Sequence, residues 1–393
     1  MNEVAKTLRI GLALSGGGSR AIAFHLGCMR ALHDKGILDR VNLISSISGG
    51  SVIAALYAYF DEPFEEFEKR TEELLKRGLL RGILLTTVCS TETPKILGTI
   101  LTSGTLALVG KLLSLTIAAL GLVGIGGGFA RKVAIATQAP LPRYASRTTA
   151  FAKYLDDSIF QKRSVAEVRR RGLEVVINAT ELRTGTAFRY GTKECGSWRF
   201  GMLVEPVSVA KAVAASAAFP AMLPAFDEFQ RFSKQGTTTA QRTIITDGGV
   251  YDNLGTSCLI PGRDANFSTN VSDLDFVVCC VAGQGLPDAS QLPYLWDSRM
   301  SATVSAIHRR THSMSFDLLH RLKKSGEIKG FLLPYLGQQD EKLPCPPPDL
   351  VPRNEIFDYP TNFSPMSEKN IERIALRGEQ LTRNLLETYH PDL

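Results

Sequence analysis

Short apolar runs alternate with longer segments of helical periodicity at the start of the chain. Residues 8–14 and 41–47 are apolar runs of strand length, and each is followed by a glycine-containing turn. The turns lead into residues 19–35 and 51–60, where apolar positions recur at helical spacing. Strands that alternate with helices in this way pair in parallel through right-handed crossovers. The pattern therefore predicts an α/β fold.

The alternation returns in the second half of the chain. A charged segment, residues 61–81, is predicted to be an amphipathic surface helix. A proline-rich stretch, residues 344–352, predicts a stiff connector. We predict further strands at residues 173–180, 243–246 and 274–281, and further helices at 208–218, 292–324 and 367–389.

The longest nearly uncharged part of the chain lies between Ile96 and Ala130, where Lys111 is the only charged residue. Its second half approaches the roughly 20 apolar residues that cross a bilayer. The glycines at 121–128 disfavour a simple spanning helix. Three interpretations stay open: a buried apolar cap, which we favour, a lipid-binding insertion that lies in the membrane interface, and a true membrane span.

The composition is that of a globular protein. Hydrophobic residues make up 44% and charged residues 21% of the 393 positions, which excludes a disordered chain. The net charge of +6 is too small to predict a nucleic-acid partner and fits a mild preference for anionic surfaces. Seven cysteines without a CxxC pair predict reduced thiols. No secretory signal is visible, so we expect a cytoplasmic or peripheral-membrane protein.

Two glycine turns follow the first two predicted strands. The first, Gly16–Gly17–Gly18, lies between a strand and a helix, where backbone N–H groups hold negative charge. As G-x-G-x-x-A it also matches a dinucleotide fingerprint, but the acid that should end the second strand is missing. A nucleotide-binding enzyme is therefore disfavoured, and the P-loop motif is absent from the sequence.

The second turn, Ser46-x-Ser48-x-Gly50, has the strand–turn–helix pattern of a nucleophile elbow. Small residues on both sides of the serine allow the strained turn to close, and the hydroxyl then projects at a helix N-terminus. An ordinary serine helix cap explains the same residues equally well. The turn taken alone leaves both interpretations open.

Asp247 is the most distinctive candidate for the base that such a serine needs. It ends an apolar strand and precedes Gly248 and Gly249, where another backbone can approach closely. A turn-forming aspartate is the competing interpretation. A basic helical segment downstream contains three histidines, which we predict to form a solvated face rather than a catalytic triad or a metal site: His308, His312 and His320.

The motifs taken together resemble the patatin-like phospholipases, a family of lipid acyl hydrolases with a serine–aspartate dyad. The resemblance rests on SGGGSR at residues 15–20, SISGGS at 46–51 and DGG at 247–249. It covers about residues 8–281, has no counterpart for 96–130, and extends to a closing helix at 366–386. It implies a three-layer α/β fold with a mostly parallel central sheet, helices on both faces and an apolar insertion. We expect a catalytic domain over residues 1–340, a Pro-rich connector over 341–365 and a C-terminal helix over 366–393 that docks on the catalytic domain.

The resemblance also implies which residues act. It places the nucleophile at Ser48 and the catalytic aspartate at Asp247. Two departures, Ser46 and Ala21, stand where the family often has glycine, and neither removes a reactive group. The remaining implied residues are Gly16, Gly17, Gly18 and Arg20 for the oxyanion hole, and Gly49 and Gly50 as support of the elbow.

The implied activity is hydrolysis of carboxylic esters of membrane lipids, of the phospholipase A or lysophospholipase type, through a Ser48 acyl-enzyme without metal or other cofactor. A phospholipid or lysophospholipid substrate and a membrane surface are the expected partners, and the oligomeric state stays open. As a hypothesis, residues 96–130 line or cover the cleft for the acyl chain. The alternative is a non-catalytic lipid-binding or membrane-associated protein that keeps the fold.

Overall fold

A computed structural model describes residues 8–122, 132–133, 137, 139–220, 222–285 and 292–393. The described strands are β1 (Ile10–Leu14), β2 (Val41–Ser46), β3 (Glu174–Glu181), β4 (Thr186–Gly191), β5 (Cys195–Ser197), β6 (Gly201–Leu203), β7 (Phe226–Lys234), β8 (Thr237–Asp247), β9 (Phe276–Cys280) and β10 (Gly330–Leu332). They form one sheet in the order β10-β9-β1-β2-β3-β4-β5-β6-β7-β8. Helices pack on both faces of this sheet, so the α/β class is as predicted.

The described α-helices are α1 (Gly18–Asp34), α2 (Gly49–Ala58), α3 (Phe64–Arg77), α4 (Leu80–Val88), α5 (Glu92–Thr99), α6 (Thr105–Leu122), α7 (Arg147–Leu155), α8 (Val209–Ser216), α9 (Gly249–Asp252), α10 (Trp296–Ser325) and α11 (Glu368–Tyr389). A π-helical turn, Ile100–Gly104, joins α5 to α6 without a break. The helices and strands that the sequence predicted are present, with ends shifted by a few residues. The segment predicted as one helix at 61–81 is α3 followed by the start of α4, and Gly78 between them has a φ of 67°.

Five strands, β10-β9-β1-β2-β3, pair in parallel and form one half of the sheet. Every residue of β1 and of β9 is buried, which explains why both read as continuous apolar runs. Parallel strands end at the same edge of a sheet, so the turns after β1 and β2 lie side by side.

The other half of the sheet is antiparallel and returns to its starting strand. The strands from β3 to β8 pair in sequence order, and β8 closes the circuit by pairing with β3 at Ala179 and Asp247. Apart from β3, the sequence predicted only the end of β8 in this half. The strands β5 and β6 have three residues each, β7 exposes polar residues on both sides, and β4 interrupts its apolar residues with the buried Arg189, so their apolar pattern is weak.

Two buried clusters fill the space on the two faces of the sheet. The larger one joins the sheet to α1, α2 and α11. The helices α1 and α11 approach very closely, since a Cβ on Gly27 would lie 1.7 Å from the Ala375 carbonyl oxygen. The smaller cluster covers the other face with Leu254, Leu259 and the end of α10 at Leu319 and Leu322.

The interpretation of residues 96–130 as a buried cap is wrong for the part that the structure describes; residues 123–130 lie outside it. The helix from Glu92 to Ala119 is buried over only 17% of its most apolar window. Its buried positions include the polar residues Thr99 and Ser103. Its exposed leucines include Leu97, Leu101, Leu108, Leu112 and Leu115. Thr99 and Ser103 thus pack on the protein, whereas these leucines face outward.

Candidate active site

The turns after β1 and β2 are packed against each other without room for side chains. The N–H of Ile47 donates to the Leu14 carbonyl at 3.0 Å, which fixes the second turn beside the first strand. A Cβ on Gly49 would lie 2.2 Å from the Gly18 carbonyl oxygen, and one on Gly50 would lie 2.3 Å from that of Leu14. Glycine at these two positions is therefore a steric requirement of the contact between the turns.

Ser48 occupies a strained position at the tip of the second turn. Its φ of 52° and ψ of −119° are unusual for a residue with a side chain, and α2 begins at the next residue. This is the backbone geometry that the elbow motif predicts. Its side chain makes no capping bond to the helix, so the ordinary helix-cap interpretation does not describe this residue.

Ser216 holds the Ser48 turn in place from the end of α8. The N–H of Ser48 donates to Ser216 Oγ at 2.9 Å, and Ser216 Oγ also bonds Ser51 Oγ at 2.8 Å. Both Ser216 and Ser51 are fully buried. Ser216 lies within a stretch that supports the family resemblance, but nothing in its own sequence context marked it as part of the site.

Asp247 ends β8 and lies next to Ser48. The Ser48 side chain lies near enough to the Asp247 carboxylate to lower the pKa of that group. The Gly249 N–H donates to Asp247 Oδ1 at 2.7 Å, and the Thr180 hydroxyl donates to the Asp247 backbone carbonyl at 2.8 Å. The side chain is only 3% exposed. Burial raises the pKa of Asp247 to about 7, against the opposing effects of the Gly249 hydrogen bond and of Ser48.

The first glycine turn has two backbone N–H groups that find no acceptor among the described residues. The N–H of Gly16 donates to the Asn253 carbonyl at 3.1 Å, so this group is already occupied. Gly17 and Gly18 have φ values of 149° and 61° and begin α1. Their N–H groups donate to no atom among the described residues. The free donors of this turn are therefore Gly17 and Gly18, at a helix N-terminus.

Arg20, the fourth residue expected in the oxyanion hole, is bonded to backbone carbonyls. Its Nε donates to the Ala282 carbonyl at 3.0 Å and its Nη1 donates to the Tyr359 carbonyl. Burial lowers the pKa of Arg20 to about 10, so the guanidinium is still charged at neutral pH. A Cβ on Gly17 would lie 3.5 Å from Arg20 Nη2. The arginine thus lies beneath the glycine turn and ties it to the C-terminal part of the chain.

Asn253 connects the two halves of the site, and sequence reasoning missed it. Its Oδ1 would lie 2.4 Å from a Cβ on Gly16 and 2.7 Å from one on Gly249, so the amide is wedged between the glycine turn and the loop after Asp247. Its Nδ2 lies 3.5 Å from His312 Nε2 on α10. The DGGVYDN stretch at 247–253 contains the signal that could have identified it.

The expectation of a solvated histidine face is wrong for two of the three histidines of α10. His308 lies beside the backbone of Gly249, and both His308 and His312 are half-buried. Burial, followed by the neighbouring His308, lowers the pKa of His312 to about 4, so this ring is neutral at pH 7. His320 is exposed and packs edge-on against Phe331. The helix α10 therefore lies against the loop that carries Asp247.

Comparison with known proteins identifies the family. A family model described as patatin-like phospholipase matches residues 12–260. Human GIVD cytosolic phospholipase A2 is similar in structure with a TM-score of 0.50 and 12% identity, covering 96% of this chain and 61% of that one. VipD from Legionella pneumophila gives a TM-score of 0.41 and 14% identity, covering 98% and 68%. The type III effector ExoU gives 0.34 and 13%, covering 97% and 53%.

These structures are longer than this chain, which spans about three fifths of the human enzyme. At 12% identity the structural likeness supports the fold alone. The family match is broader evidence, because it covers more than half of the chain and includes both glycine turns and the Asp247 loop. The chain therefore belongs to the patatin-like phospholipase family.

Proposed function

We propose that this protein hydrolyses carboxylic esters of membrane lipids, as a phospholipase A or lysophospholipase, with Ser48 as nucleophile and Asp247 as general base. The observation that carries the proposal is the pairing of a serine in a strained elbow with a buried carboxylate whose pKa is about 7. A structural serine cap requires neither feature. Family membership supports the lipid ester as the substrate class.

The first half of the reaction acylates the serine. The Asp247 carboxylate accepts the proton of the Ser48 hydroxyl as Oγ forms a bond to the ester carbonyl carbon. The carbonyl oxygen becomes a tetrahedral oxyanion, and the free N–H groups of Gly17 and Gly18 are the donors that we assign to it. Such a donor contributes about 3–4 kcal/mol to the transition state. The carbon–oxygen bond to the alcohol then breaks, and the alcohol leaves with the proton held by Asp247.

The second half repeats these steps with water. Asp247 accepts a proton from water, the hydroxide attacks the acyl carbon, and the same donors stabilise the second oxyanion. The acyl–Oγ bond breaks, Ser48 regains its proton from Asp247, and the fatty acid leaves. A base with a pKa near neutrality suits both directions of transfer, because it is ionised before attack and still acidic enough to protonate the leaving alcohol.

The helix from Glu92 to Ala119 supports a membrane location for this reaction. Its mean hydropathy is 1.7, and its leucines are exposed on all sides while Thr99 and Ser103 face the protein. The Ser103 hydroxyl donates to the Pro142 carbonyl at 2.8 Å, which anchors the helix through a polar contact. A helix that is apolar all round and unburied requires a lipid or protein environment. We propose that α6 inserts into the bilayer that supplies the substrate.

Hydrolysis assays with three proteins test the proposal. Wild type, Ser48→Ala and Asp247→Asn are incubated with phospholipid and lysophospholipid vesicles, and released fatty acid is measured. We expect turnover in the wild type and a loss of at least about a thousandfold in both variants, since a dyad acts as a unit. Near-wild-type rates in both variants would refute the dyad. Vesicle binding without turnover in any of the proteins would favour the alternative, a non-catalytic lipid-binding protein.

A further inference from the structure

The helix α10 exposes an apolar stripe that nothing in the described part of the chain covers. Trp296, Met300, Ile307 and Met314 fall within about 40° of one another at 100° per residue, over a length of about 27 Å. Trp296 is 78% and Ile307 57% exposed. The loop just before the helix adds Tyr294 at 80% exposure. A soluble helix normally turns such a stripe toward its own core.

Exposed cations follow one edge of this stripe and continue along the same side of the helix beyond Met314. They are Arg299, Arg310, Arg321 and Lys324, and one acidic residue, Asp317, lies among them. None of these five side chains forms an ion pair with the described residues of the chain. An apolar stripe with cations along its edge, none of which forms an ion pair with the described residues, is complementary to a membrane interface. There a layer of negatively charged groups covers a hydrocarbon interior.

The face on the other side of the stripe packs against the candidate site. His308 lies beside the backbone of Gly249, and His312 Nε2 lies 3.5 Å from Asn253 Nδ2. Gly249 in turn donates to the Asp247 carboxylate. Further along, Leu319 and Leu322 fix the helix to the protein core. A surface that binds the stripe is therefore held within one helix diameter of the loop that carries the proposed base.

We propose that the exposed face of α10 is a docking surface for the anionic head-group region of a lipid bilayer, in which the helix lies parallel to the membrane plane. The inference rests on the proposed function, which requires the site to face a bilayer. It goes further by naming the protein surface that binds the bilayer and the charge of the lipids that this surface prefers. Tryptophan and tyrosine at the start of the helix suit the interface, where aromatic rings concentrate. The unpaired arginines and the lysine suit anionic lipids.

The same charges disfavour a second copy of the chain as the occupant. In a two-fold antiparallel pairing of α10 with itself, Arg310 lies near the middle of the helix and meets its own copy, while Arg299 faces Arg321. Like charges opposite each other destabilise such an interface. Asp317 offers one acid against four cations, which does not neutralise the face.

Tryptophan fluorescence tests docking directly, because the chain has only two tryptophans, Trp198 and Trp296. The protein carries Ser48→Ala, which prevents lipid turnover, and Trp198→Phe, which leaves Trp296 as the reporter. With vesicles containing phosphatidylserine, we expect the emission of Trp296 to shift to shorter wavelength and to be quenched by brominated acyl chains. Unchanged emission on vesicles that bind the protein, or no vesicle binding at all, would overturn the inference. A shift that appears without lipid as the protein concentration rises would assign the face to a second copy instead.

Charge reversal on the cationic edge provides an independent test. In the Ser48→Ala background, the double variant Arg299→Glu/Arg310→Glu is compared with Arg171→Glu, an exposed arginine on another part of the chain. We expect the double variant to lose at least about tenfold in affinity for phosphatidylserine vesicles and much less for neutral ones. Equal affinity of the double variant and the control would contradict the inference. With an intact Ser48, both proteins should hydrolyse a soluble short-chain ester at the same rate. Vesicle binding without any ester hydrolysis would refute the proposed function but would still support the docking surface.

Discussion

At the scale of residues, the site depends on one unfavourable backbone conformation and one unfavourable charge. Ser48 is held at a φ of 52° by the packing of Gly49 and Gly50 and by the bond from its N–H to Ser216. Asp247 is held in a buried position that disfavours its ionised form. Both cost stability, and both are what the proposed chemistry needs from a nucleophile and a base.

The pKa of Asp247 predicts how activity depends on pH. The base acts only when ionised, so kcat/KM for a soluble short-chain ester should fall about tenfold per pH unit below about pH 7 and level off above pH 8. A soluble substrate is used because vesicle binding has its own dependence on pH. The measurement is the pH–rate profile of the wild type from pH 5 to 9. A flat profile over this range would contradict the assignment of Asp247 as the base.

The same pKa predicts a stability gain on removing the charge. The folded protein holds the Asp247 proton up to about pH 7, whereas the ordinary value is 3.8, so the wild type loses folding free energy as pH rises through this window. The loss amounts to about 4 kcal/mol, at 1.36 kcal/mol per pKa unit. Asp247→Asn should therefore melt higher than wild type at pH 8, and the gap should shrink toward pH 4. Melting temperatures at the two pH values check this, and a gap that does not change with pH would refute it.

The proposed nucleophile and base were easier to identify from the sequence than the residues that position them. Ser48 and Asp247 were found because each lies in a short motif with its own glycines. Ser216, Asn253, His308 and His312 were not assigned to the site, because their roles come from distant elements that approach only in the folded chain. The hydrogen bond from the Gly16 N–H to the Asn253 carbonyl also joins distant parts of the chain. Because this bond occupies Gly16, the free donors of the turn are Gly17 and Gly18.

At the scale of elements, the two turns form one packed unit. A Cβ on Gly50 would meet the carbonyl oxygens of Leu14 and Ser15 at 2.3 and 2.7 Å, and backbone atoms cannot move aside cheaply. Gly50→Ala should therefore destabilise the protein by about 2–3 kcal/mol and remove most of its activity. Gly104→Ala is the matched control, because its nearest atom is the Thr99 carbonyl oxygen at 4.0 Å. Thermal melting of both variants checks the prediction, and equal stability would show that the turns do not require this contact.

Helices and strands with a strong hydrophobic pattern were predicted from the sequence, and those with a weak pattern were missed. The buried strands β1 and β9 are continuous apolar runs in the sequence, and α11 has its apolar residues on one face. The local pattern was therefore sufficient to predict these elements. The antiparallel circuit from β3 to β8 depends on pairing between distant strands. The strands that follow β3 carry little local signal, and only the apolar end of β8 was predicted among them.

At the scale of the whole molecule, the described part of the long apolar segment lies on the outside of the fold and not in its core. The sequence located the apolar segment at 96–130 but favoured a buried position, because apolar composition alone does not tell a core from a membrane-facing surface. The structure places the described leucines outward and the polar Thr99 and Ser103 inward. Together with the stripe on α10, the described part of the chain exposes apolar surface of two kinds: α6 is apolar all round, and the α10 stripe is edged with cations.

Two substitutions on α6 separate these features. Leu108→Ser/Leu112→Ser should weaken binding to neutral and anionic vesicles alike, by more than about tenfold, since each exposed leucine gains about 1.5–3 kcal/mol on burial. Hydrolysis of a soluble ester should be unchanged because both side chains already lie outside the fold. Phe229→Ser, an exposed aromatic residue on β7, is the control. Sedimentation with vesicles measures the binding, and unaltered affinity would show that α6 does not enter the bilayer.

The central claim is that Ser48 is an activated nucleophile, and covalent trapping tests it most directly. The wild type is treated with an alkyl fluorophosphonate and digested, and the modified peptide is identified by mass spectrometry. We expect one adduct, on Ser48, formed much more slowly in Asp247→Asn and absent in Ser48→Ala. Labelling at a different residue, or no labelling of a folded wild-type protein, would contradict the account.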